Sequence, residues 1–277
     1  VDREHIDYYK SFSSLKNKIK KFILKTAKNS KVIINNDDEF LNTLSSSSKN
    51  IITFGKKNNS DYSYRNIKLT NIKTVFDLYF KNRIIEKKIS SPLLGEHNIQ
   101  NLVSALATMR DLRIKINKKD IMSFKGTLRR LNVLGSLGNS ILIDDYAHHP
   151  TEIQKLINVS HLYKKRDIHL IIEPHRYTRL NDLYKEYLKI LKGIKNLNIL
   201  KTYAAGEVLT NFMKDSKNLV NDLNVLYSQH TGYLDAYSDF FNLLDKLTSN
   251  KKKKIIIAAG AGSISNQFRL YYESRKN

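Results

Sequence analysis

The sequence predicts an α/β fold, and two observations indicate that its second half forms a doubly wound sheet. Short β-branched apolar runs, such as residues 141–143 and 169–172, alternate there with segments of helical spacing. Clusters of polar and ionisable residues follow these two runs directly, at residues 144–150 and 174–179. Open α/β sheets bind their ligands where strands pass into helices. We therefore expect both clusters to line one crevice.

The first part of the chain predicts mixed helices and strands. Residues 1–9 indicate a loop. A helix is predicted over residues 12–27 because five apolar residues share one face: Phe12, Leu15, Ile19, Phe22 and Ile23. Strands over residues 31–35 and 50–55, a short helix over 37–44, an antiparallel meander over 62–89, and helices over 98–113 and 118–124 follow. Gly126 comes after the last helix, and we place the domain boundary there, giving domains of residues 1–125 and 126–277.

The second part begins with a predicted hairpin of residues 128–136 and 139–145, whose turn contains Gly138 and Asn139. Helices and strands then alternate. Helices are predicted over residues 151–163, 179–191, 214–223 and 234–247 and after Gly262, and strands over residues 169–172, 198–201 and 254–259. This alternation is typical of a doubly wound α/β domain.

Composition limits the possible functions. The 277 residues carry a net charge of +22, spread along the whole chain. Such an excess of positive charge is typical of proteins that bind nucleic acid, but the sequence contains no aromatic-basic RNA-binding motif and no residues with the spacing of zinc ligands. We therefore favour a general basic background, which suits a polyanionic substrate such as a nucleotide. The chain has no cysteine, no signal-peptide layout and no apolar run of about 18 residues, so a cytoplasmic protein without a membrane partner is expected.

The cluster at residues 174–179 suggests recognition of a carboxylate. Arg176 and Arg179 are three residues apart at a predicted helix start, so both guanidinium groups can face one side. Ordinary surface salt bridges are the alternative. His148 and His175 could orient or deprotonate an amine, since imidazole titrates near neutral pH, although either one alone could equally be structural.

Two weaker signals remain open. His5 lies among acidic residues and could bind a divalent cation, but such a histidine is more often a surface residue. Gly260 and Gly262 follow an apolar strand, where backbone amides could approach an anion. Close packing explains these glycines about as well.

Several motifs together resemble the Mur ligase family. Residues 95–101 resemble its Gly-x-His-Asn-x-x-Asn element, Arg129 and Arg130 resemble its Arg-Arg-Phe, and residues 2–7 are similar to its Glu-x-Asp-His-x-Asp. Residues 144–152, 174–179 and 203–207 resemble the branch that adds L-alanine, rather than the tripeptide-recycling branch, which lacks the His-Arg-Tyr-x-Arg element.

The resemblance implies ATP-dependent ligation of L-alanine to UDP-N-acetylmuramate through an acyl phosphate, in peptidoglycan precursor synthesis. It implies that residues 1–125 are the latter part of a P-loop-type ATPase domain. Residues 126–277 would then form a Rossmann-like, amino-acid-binding carboxy-terminal domain. ATP and Mg²⁺ are the expected cofactors.

The resemblance also implies roles for single residues. Asn98 and Asn101 would hold the adenine of ATP, Arg130 and Asp145 would contact its phosphates and ribose, and His5 would bind magnesium. The carboxylate of L-alanine would be held by Arg176 and Arg179. Tyr146, His148 and His175 would surround the amine, and the two histidines are the expected catalytic residues.

The sequence also departs from the family pattern. It contains no Gly-x-x-Gly-Lys-Thr/Ser segment. The segment compared with it, Gly55-Lys56-Lys57, has neither the leading glycine nor the hydroxyl residue after the lysine. The UDP-binding domain is also missing, and Asp2 and Ser263 replace the usual Glu and Asp. We therefore expect the carboxy-terminal portion of a ligase, inactive alone. Two other hypotheses stay open: a subunit of a split ligase whose P-loop lies on a separate chain, and a basic nucleic-acid-binding module without enzymatic activity.

Overall fold

The computed structural model describes residues 1–276, apart from the side chain of Asp7. The chain divides into two compact units, unit 1 (Val1–Lys125) and unit 2 (Gly126–Asn277). No helix within residues 1–276 is both long enough and apolar enough to cross a membrane.

Unit 1 contains one mixed sheet with helices packed on it. Its elements, in chain order, are α1 (Ile6–Tyr9), α2 (Phe12–Thr26), β1 (Val32–Asn35), α3 (Glu39–Asn42), β2 (Ile51–Gly55), β3 (Tyr62–Leu69), β4 (Thr74–Phe80), β5 (Arg83–Ser91), α4 (Glu96–Asp111) and α5 (Lys118–Ser123). The strands are arranged in the order β1-β2-β3-β4-β5. The first three run parallel, and β3, β4 and β5 pair antiparallel, so the predicted meander is confirmed.

Helix α4 supplies much of the core of unit 1. Its buried face carries Val103 and Leu106, which cluster with Phe76 and Leu78 of β4. Helix α2 also forms as predicted, but the prediction that Phe22 belongs to its buried apolar face is wrong. Phe22 is 70% exposed, because it lies beyond the edge of the stripe that this helix buries.

Unit 2 is a six-stranded sheet with helices connecting its strands. Its elements are β6 (Asn132–Leu137), β7 (Ser140–Asp145), α6 (Pro150–Ser160), β8 (Asp167–Glu173), α7 (Tyr177–Asp182), α8 (Tyr184–Leu191), β9 (Leu197–Leu200), α9 (Ser216–Tyr227), β10 (Gly232–Leu234), α10 (Tyr237–Thr248), β11 (Lys254–Gly260) and α11 (Ile264–Glu273). The strand order is β10-β9-β8-β11-β7-β6, and only the β6–β7 hairpin is antiparallel among these pairs.

The last strand in sequence occupies the middle of this sheet. β11 lies between β7 and β8, and its Ile257 pairs with Ile143 on one side and with Leu170 on the other. Every residue of β11 is buried, as expected for a parallel strand covered on both faces. The predicted doubly wound arrangement is confirmed, and the chain reverses its direction across the sheet between β10 and β11.

Two predicted elements of unit 2 differ from the structure. The helix predicted over residues 179–191 is two helices, α7 and α8, because the backbone at Leu183 leaves the helical region (φ −112°, ψ 19°). The helix predicted from residue 234 begins later, at Tyr237, because Gly232–Leu234 form strand β10 on β9. A strand of three residues is too short to show an alternating pattern.

Candidate functional site

The predicted polar clusters of unit 2 come together at one edge of its sheet. The strands β7, β11 and β8 are parallel neighbours, so their carboxyl ends meet at this edge. The segments that follow β7 and β8 bring the rings of His148 and His175 to 5.9 Å between centroids. Sequence reasoning therefore located the two halves of this cluster correctly.

The first aspartate at the end of β7 has a structural role. Asp144 is fully buried. Its Oδ2 accepts hydrogen bonds from Ser265 Oγ at 2.8 Å and from Arg269 Nη2 at 2.7 Å. Both donors belong to α11, so this carboxylate ties the last helix to β7. Its Oδ1 is buried without a hydrogen-bond partner.

The second aspartate organises the loops beside the strand. Asp145 accepts the backbone N–H of Leu131 at 2.6 Å and that of Ala147 at 2.7 Å, one on each carboxylate oxygen. Burial raises the pKa of Asp145, although these two N–H groups and the charge of Arg130 act in the opposite direction. The side chain therefore ties the segment that precedes β6 to the residue that follows Tyr146.

Tyr146 lies beneath two arginines. The guanidinium carbon of Arg129 is 4.5 Å from the centre of its ring, and that of Arg130 is 5.6 Å away. Arg129 also donates to the Gly260 carbonyl at 2.8 Å, whereas Arg130 reaches Glu152 at 3.3 Å. The Arg130 side chain is 55% exposed. A positive and partly accessible surface therefore lies over the ring.

His148 is held by several groups. Its Nδ1 is 2.9 Å from the Tyr146 carbonyl oxygen and 3.3 Å from Glu152 Oε2. Its backbone N–H donates to the same Glu152 oxygen at 3.1 Å, and the hydroxyl of Tyr187 donates to its carbonyl. Burial opposes ionisation of Glu152, yet the His148 amide and ring, with Arg130, lower its pKa overall. A carboxylate thus faces the His148 ring.

The neighbouring histidine caps α6 instead. His149 Nδ1 accepts the backbone N–H of Thr151 at 3.2 Å, and the His149 N–H donates to Glu152 Oε2 at 3.3 Å. The residue is 6% exposed. This reciprocal capping of the first turn gives the second histidine of the pair a role in starting the helix.

His175 lies between an arginine and a tyrosine. Arg179 Nη1 is 3.2 Å from its Nδ1. The Tyr203 ring stacks on it with centroids 5.4 Å apart and 13° between planes. Burial, followed by the positive charge of Arg179, lowers the pKa of His175 to about 4. The ring is therefore neutral near pH 7.

Arg176 contacts a loop that sequence reasoning gave no role. It precedes α7 with a left-handed backbone (φ 69°), and its N–H donates to the Tyr203 carbonyl at 2.8 Å. Its Nε is 3.7 Å from Glu207 Oε1. The same carboxylate accepts from the Thr178 backbone N–H at 3.0 Å and from its hydroxyl at 2.6 Å. Glu207 therefore fixes the start of the helix that carries Arg179.

A buried carboxylate, that of Glu173, holds neighbouring groups in place at the end of β8. Glu173, 3% exposed, accepts the Ile264 N–H at 3.1 Å and a hydrogen bond from the Tyr237 hydroxyl. Burial raises its pKa. A Cβ added to Gly262 would lie 2.3 Å from Glu173 Oε2 and 2.6 Å from the Tyr203 ring. Close packing thus accounts for this glycine.

The predicted site residues of unit 1 lie on α4 and at the chain start. Asn98 donates to the Leu94 carbonyl at 2.7 Å, and Asn101 donates to Asn98 Oδ1 at 3.5 Å, so these two amides are neighbours. His5 is exposed, with φ 55°. Among the side chains that the structure describes, which do not include that of Asp7, no group of three or more His, Cys, Asp or Glu could hold a metal ion.

Sequence reasoning missed the supporting residues of the site. Glu207 and Tyr203 were noticed only as part of a matching segment, and Glu173 and Arg129 received no role. Their contacts join segments that are distant in sequence, and spacing carries no signal for these. An acidic residue at the end of an apolar strand, as at Glu173, is the one local sign that could have drawn attention.

Comparison with known proteins agrees with the motifs. The Mur ligase middle domain matches residues 1–109, and the Mur ligase glutamate ligase domain matches residues 129–262. The UDP-N-acetylmuramate–L-alanine ligase of Pelagibacter ubique is 36% identical over 283 residues, covering 96% of this chain and 58% of the relative. The chain thus spans somewhat more than half the length of the curated relatives it matches.

Solved structures show the same fold. The UDP-N-acetylmuramate–alanine ligase of Thermotoga maritima aligns with a TM-score of 0.75 at 20% identity, over 99% of this chain and 58% of that one. The MurF ligase of the same organism, solved in complex with ADP, aligns with a TM-score of 0.73 at 16% identity, over 100% and 61%. Together, the two domain matches, the relatives and the shared fold place this chain in the Mur ligase family.

Proposed function

We propose that this chain provides the amino-acid-binding part of a ligase that joins L-alanine to UDP-N-acetylmuramate with ATP. The observation that carries the proposal is the cluster at the carboxyl edge of the unit 2 sheet. There Tyr146, His148, His175 and Arg179 lie in a row, each next to the one that follows. The relatives that match 95–97% of the chain carry the name UDP-N-acetylmuramate–L-alanine ligase, which supports this substrate pair.

Arg176 and Arg179 are the proposed ligands of the alanine carboxylate. A guanidinium group can bind both oxygens of a carboxylate, which gives geometry as well as charge. Arg179 already lies beside His175, and Arg176 is held near Glu207. The Arg176 side chain is 36% exposed, so solvent and substrate can reach it.

Tyr146, His148 and His175 are the proposed groups around the alanine amine. An amine must lose a proton before it attacks an acyl group, and an imidazole with a suitable lone pair can take it. The neutral state of His175 avoids a positive charge beside an incoming ammonium group. Glu152 Oε2 lies 3.3 Å from His148 Nδ1, so its carboxylate would face that ring after it has accepted a proton.

The nucleotide ligands are proposed separately for each unit. In unit 1, Asn98 and Asn101 offer amide groups whose donor and acceptor atoms suit the edge of adenine. In unit 2, Arg130 is 55% exposed and cationic, as a phosphate contact requires, and Asp145 is a carboxylate that suits ribose hydroxyls. The ADP bound to the MurF ligase of Thermotoga maritima supports a nucleotide in this fold. These groups suit parts of ATP, whereas the sequence contains no P-loop to hold its phosphates.

The described residues do not by themselves fit a magnesium ion. Mg²⁺ prefers oxygen ligands in octahedral geometry and usually keeps several waters. His5 is an exposed imidazole, and the described side chains, to which that of Asp7 does not belong, form no cluster of metal ligands. No step is therefore assigned to the ion, and the metal role of His5 stays a prediction.

The sequence contains no P-loop motif, so we propose that these 277 residues alone do not turn over. A coupled phosphate-release assay with ATP, UDP-N-acetylmuramate and L-alanine tests this directly. Turnover by the purified chain would contradict it. The second arm adds a separate chain made of the part of the Pelagibacter ubique relative that this chain does not cover.

In this second arm we expect phosphate release that depends on L-alanine. The same mixture with Arg179→Met should lose that dependence, whereas the exposed-site variant Lys185→Met should keep it. Phosphate release at a rate that does not depend on L-alanine would contradict the ligase proposal. The absence of release from a mixture whose two chains co-elute would contradict it equally.

A further inference from the structure

The two histidine rings of the site have different hydrogen-bond partners at the same ring atom. His148 Nδ1 faces two acceptors, the Tyr146 carbonyl at 2.9 Å and Glu152 Oε2 at 3.3 Å. A carbonyl and an ionised carboxylate can only accept. The Nδ1 of His148 must therefore carry the proton, and the lone pair of the neutral ring is on Nε2.

His175 shows the reverse arrangement. Its Nδ1 lies 3.2 Å from Arg179 Nη1. A guanidinium group can only donate, so Nδ1 of His175 must accept. The proton of the neutral ring is then on Nε2. The stacked ring of Tyr203 restrains the plane of His175 and keeps this contact in place.

We infer that His148 and His175 are held as opposite tautomers, with the lone pair of the neutral His148 ring and the N–H of the neutral His175 ring both on Nε2. The centroids of the two rings lie 5.9 Å apart, so both rings are close enough to contact adjacent atoms of one small substrate. This assignment separates roles that the sequence left combined, because the lone pair of His175 is on Nδ1, where Arg179 donates to it, whereas that of His148 is on Nε2.

The catalytic meaning rests on the proposed function. His148 Nε2 would take a proton from the ammonium group of L-alanine. The N–H bond breaks, its electron pair stays on the amine nitrogen, and Glu152 faces the resulting imidazolium. His175 Nε2 would donate a hydrogen bond, without transferring its proton, to a carboxylate or carbonyl oxygen of the substrates. Glu152 and Arg179 are then positioning residues that set the tautomers.

Nitrogen NMR of the ring-labelled 277-residue chain tests the inference without substrate or turnover. The chain has eight histidines, and the signals that disappear in His148→Asn and His175→Asn identify the two rings. At pH 7 we expect a protonated Nδ1 on His148 and a protonated Nε2 on His175. An averaged signal from either ring, or the same tautomer in both, would overturn the inference.

A second variant shows whether Arg179 sets the state of His175. Arg179→Met removes the donor and its charge, so the ring should exchange between tautomers and protonate at a higher pH than about 4. Arg166→Met, at the amino end of β8, is the matched control and should leave His175 unchanged. An unchanged His175 in Arg179→Met would also overturn the inference. Because no substrate is used, these results stand apart from the success of the ligase assay.

Discussion

The buried pair between Asp144 and Arg269 yields the most quantitative prediction for stability. Asp144 is fully buried, and its Oδ2 accepts from Arg269 Nε at 3.0 Å and Nη2 at 2.7 Å. Arg269→Met would leave the carboxylate buried with Ser265 as its remaining donor among these contacts. Breaking one side of a buried ion pair costs about 3–5 kcal/mol. Because Arg269 is 30% exposed, we expect a loss of about 3 kcal/mol, at the lower end.

The reverse change should cost less. Asp144→Asn removes the charge but keeps an oxygen that accepts from Ser265 and Arg269, and the arginine can still reach water. A loss of about 1–2 kcal/mol is expected, the scale of one hydrogen bond. The double variant should cost less than the sum of the two single variants, by about 1–3 kcal/mol.

Urea unfolding followed at single amides is the suitable assay. The chain has two compact units, so a signal averaged over the whole chain would mix two transitions. The amides of Ile143 and Ile257 lie in the core of unit 2 and report on that unit alone. Strictly additive losses, or a loss below about 1 kcal/mol for Arg269→Met, would refute the assignment of a coupled buried pair.

Three further predictions concern the support of the site. Gly262→Ala places a Cβ against Glu173 and the tyrosine ring behind it, so we expect a loss of about 1–3 kcal/mol in urea unfolding from overpacking. Gly193→Ala meets no atom within 4 Å, but its φ of +81° is itself strained for alanine, so it measures only the backbone cost of such a change; a loss below about 0.5 kcal/mol for Gly262→Ala would contradict the steric account. Glu207→Ala removes both acceptors of Thr178. Hydrogen exchange at the Thr178 amide should then rise about tenfold, the effect of about 1.4 kcal/mol, with a smaller rise in Glu207→Gln; no rise in either would contradict the assigned contact. Because burial raises the pKa of Glu173 above its unfolded value, the folded state binds more protons, and stability should fall as pH rises through the interval between those pKa values. Glu173→Gln should flatten that part of a pH series of urea midpoints, whereas an unaltered slope would contradict the assignment.

Much of the fold could be predicted from local patterns. Alternating apolar runs and helical spacing located most strands and helices, because both periodicities are properties of short segments. Strand β10 was missed because its three residues, Gly232–Leu234, are defined by pairing with β9. Phe22 was misplaced since the position of the neighbouring elements, and not the helix itself, decides how wide a stripe is buried.

The candidate site was predictable only in part. Polar residues at strand ends drew attention to His148, His175 and Arg179, because the chain topology of an α/β sheet places such residues together. The carboxylates that hold them, Glu152 and Glu207, depend on contacts between segments. Asp144 and Asp145 have different roles because successive side chains of β7 point to opposite faces of the sheet. Sequence alone does not show which of the two faces α11 covers.

The measurement that tests the central claim most directly is an NMR titration of the 277-residue chain with UDP-N-acetylmuramoyl-L-alanine, the product of the proposed reaction. The account predicts saturable shifts at the rings of Tyr146, His148 and His175, lost in Arg179→Met and retained in Arg166→Met. Absence of these shifts at saturating product, or shifts confined to residues away from the carboxyl edge of the unit 2 sheet, would contradict it.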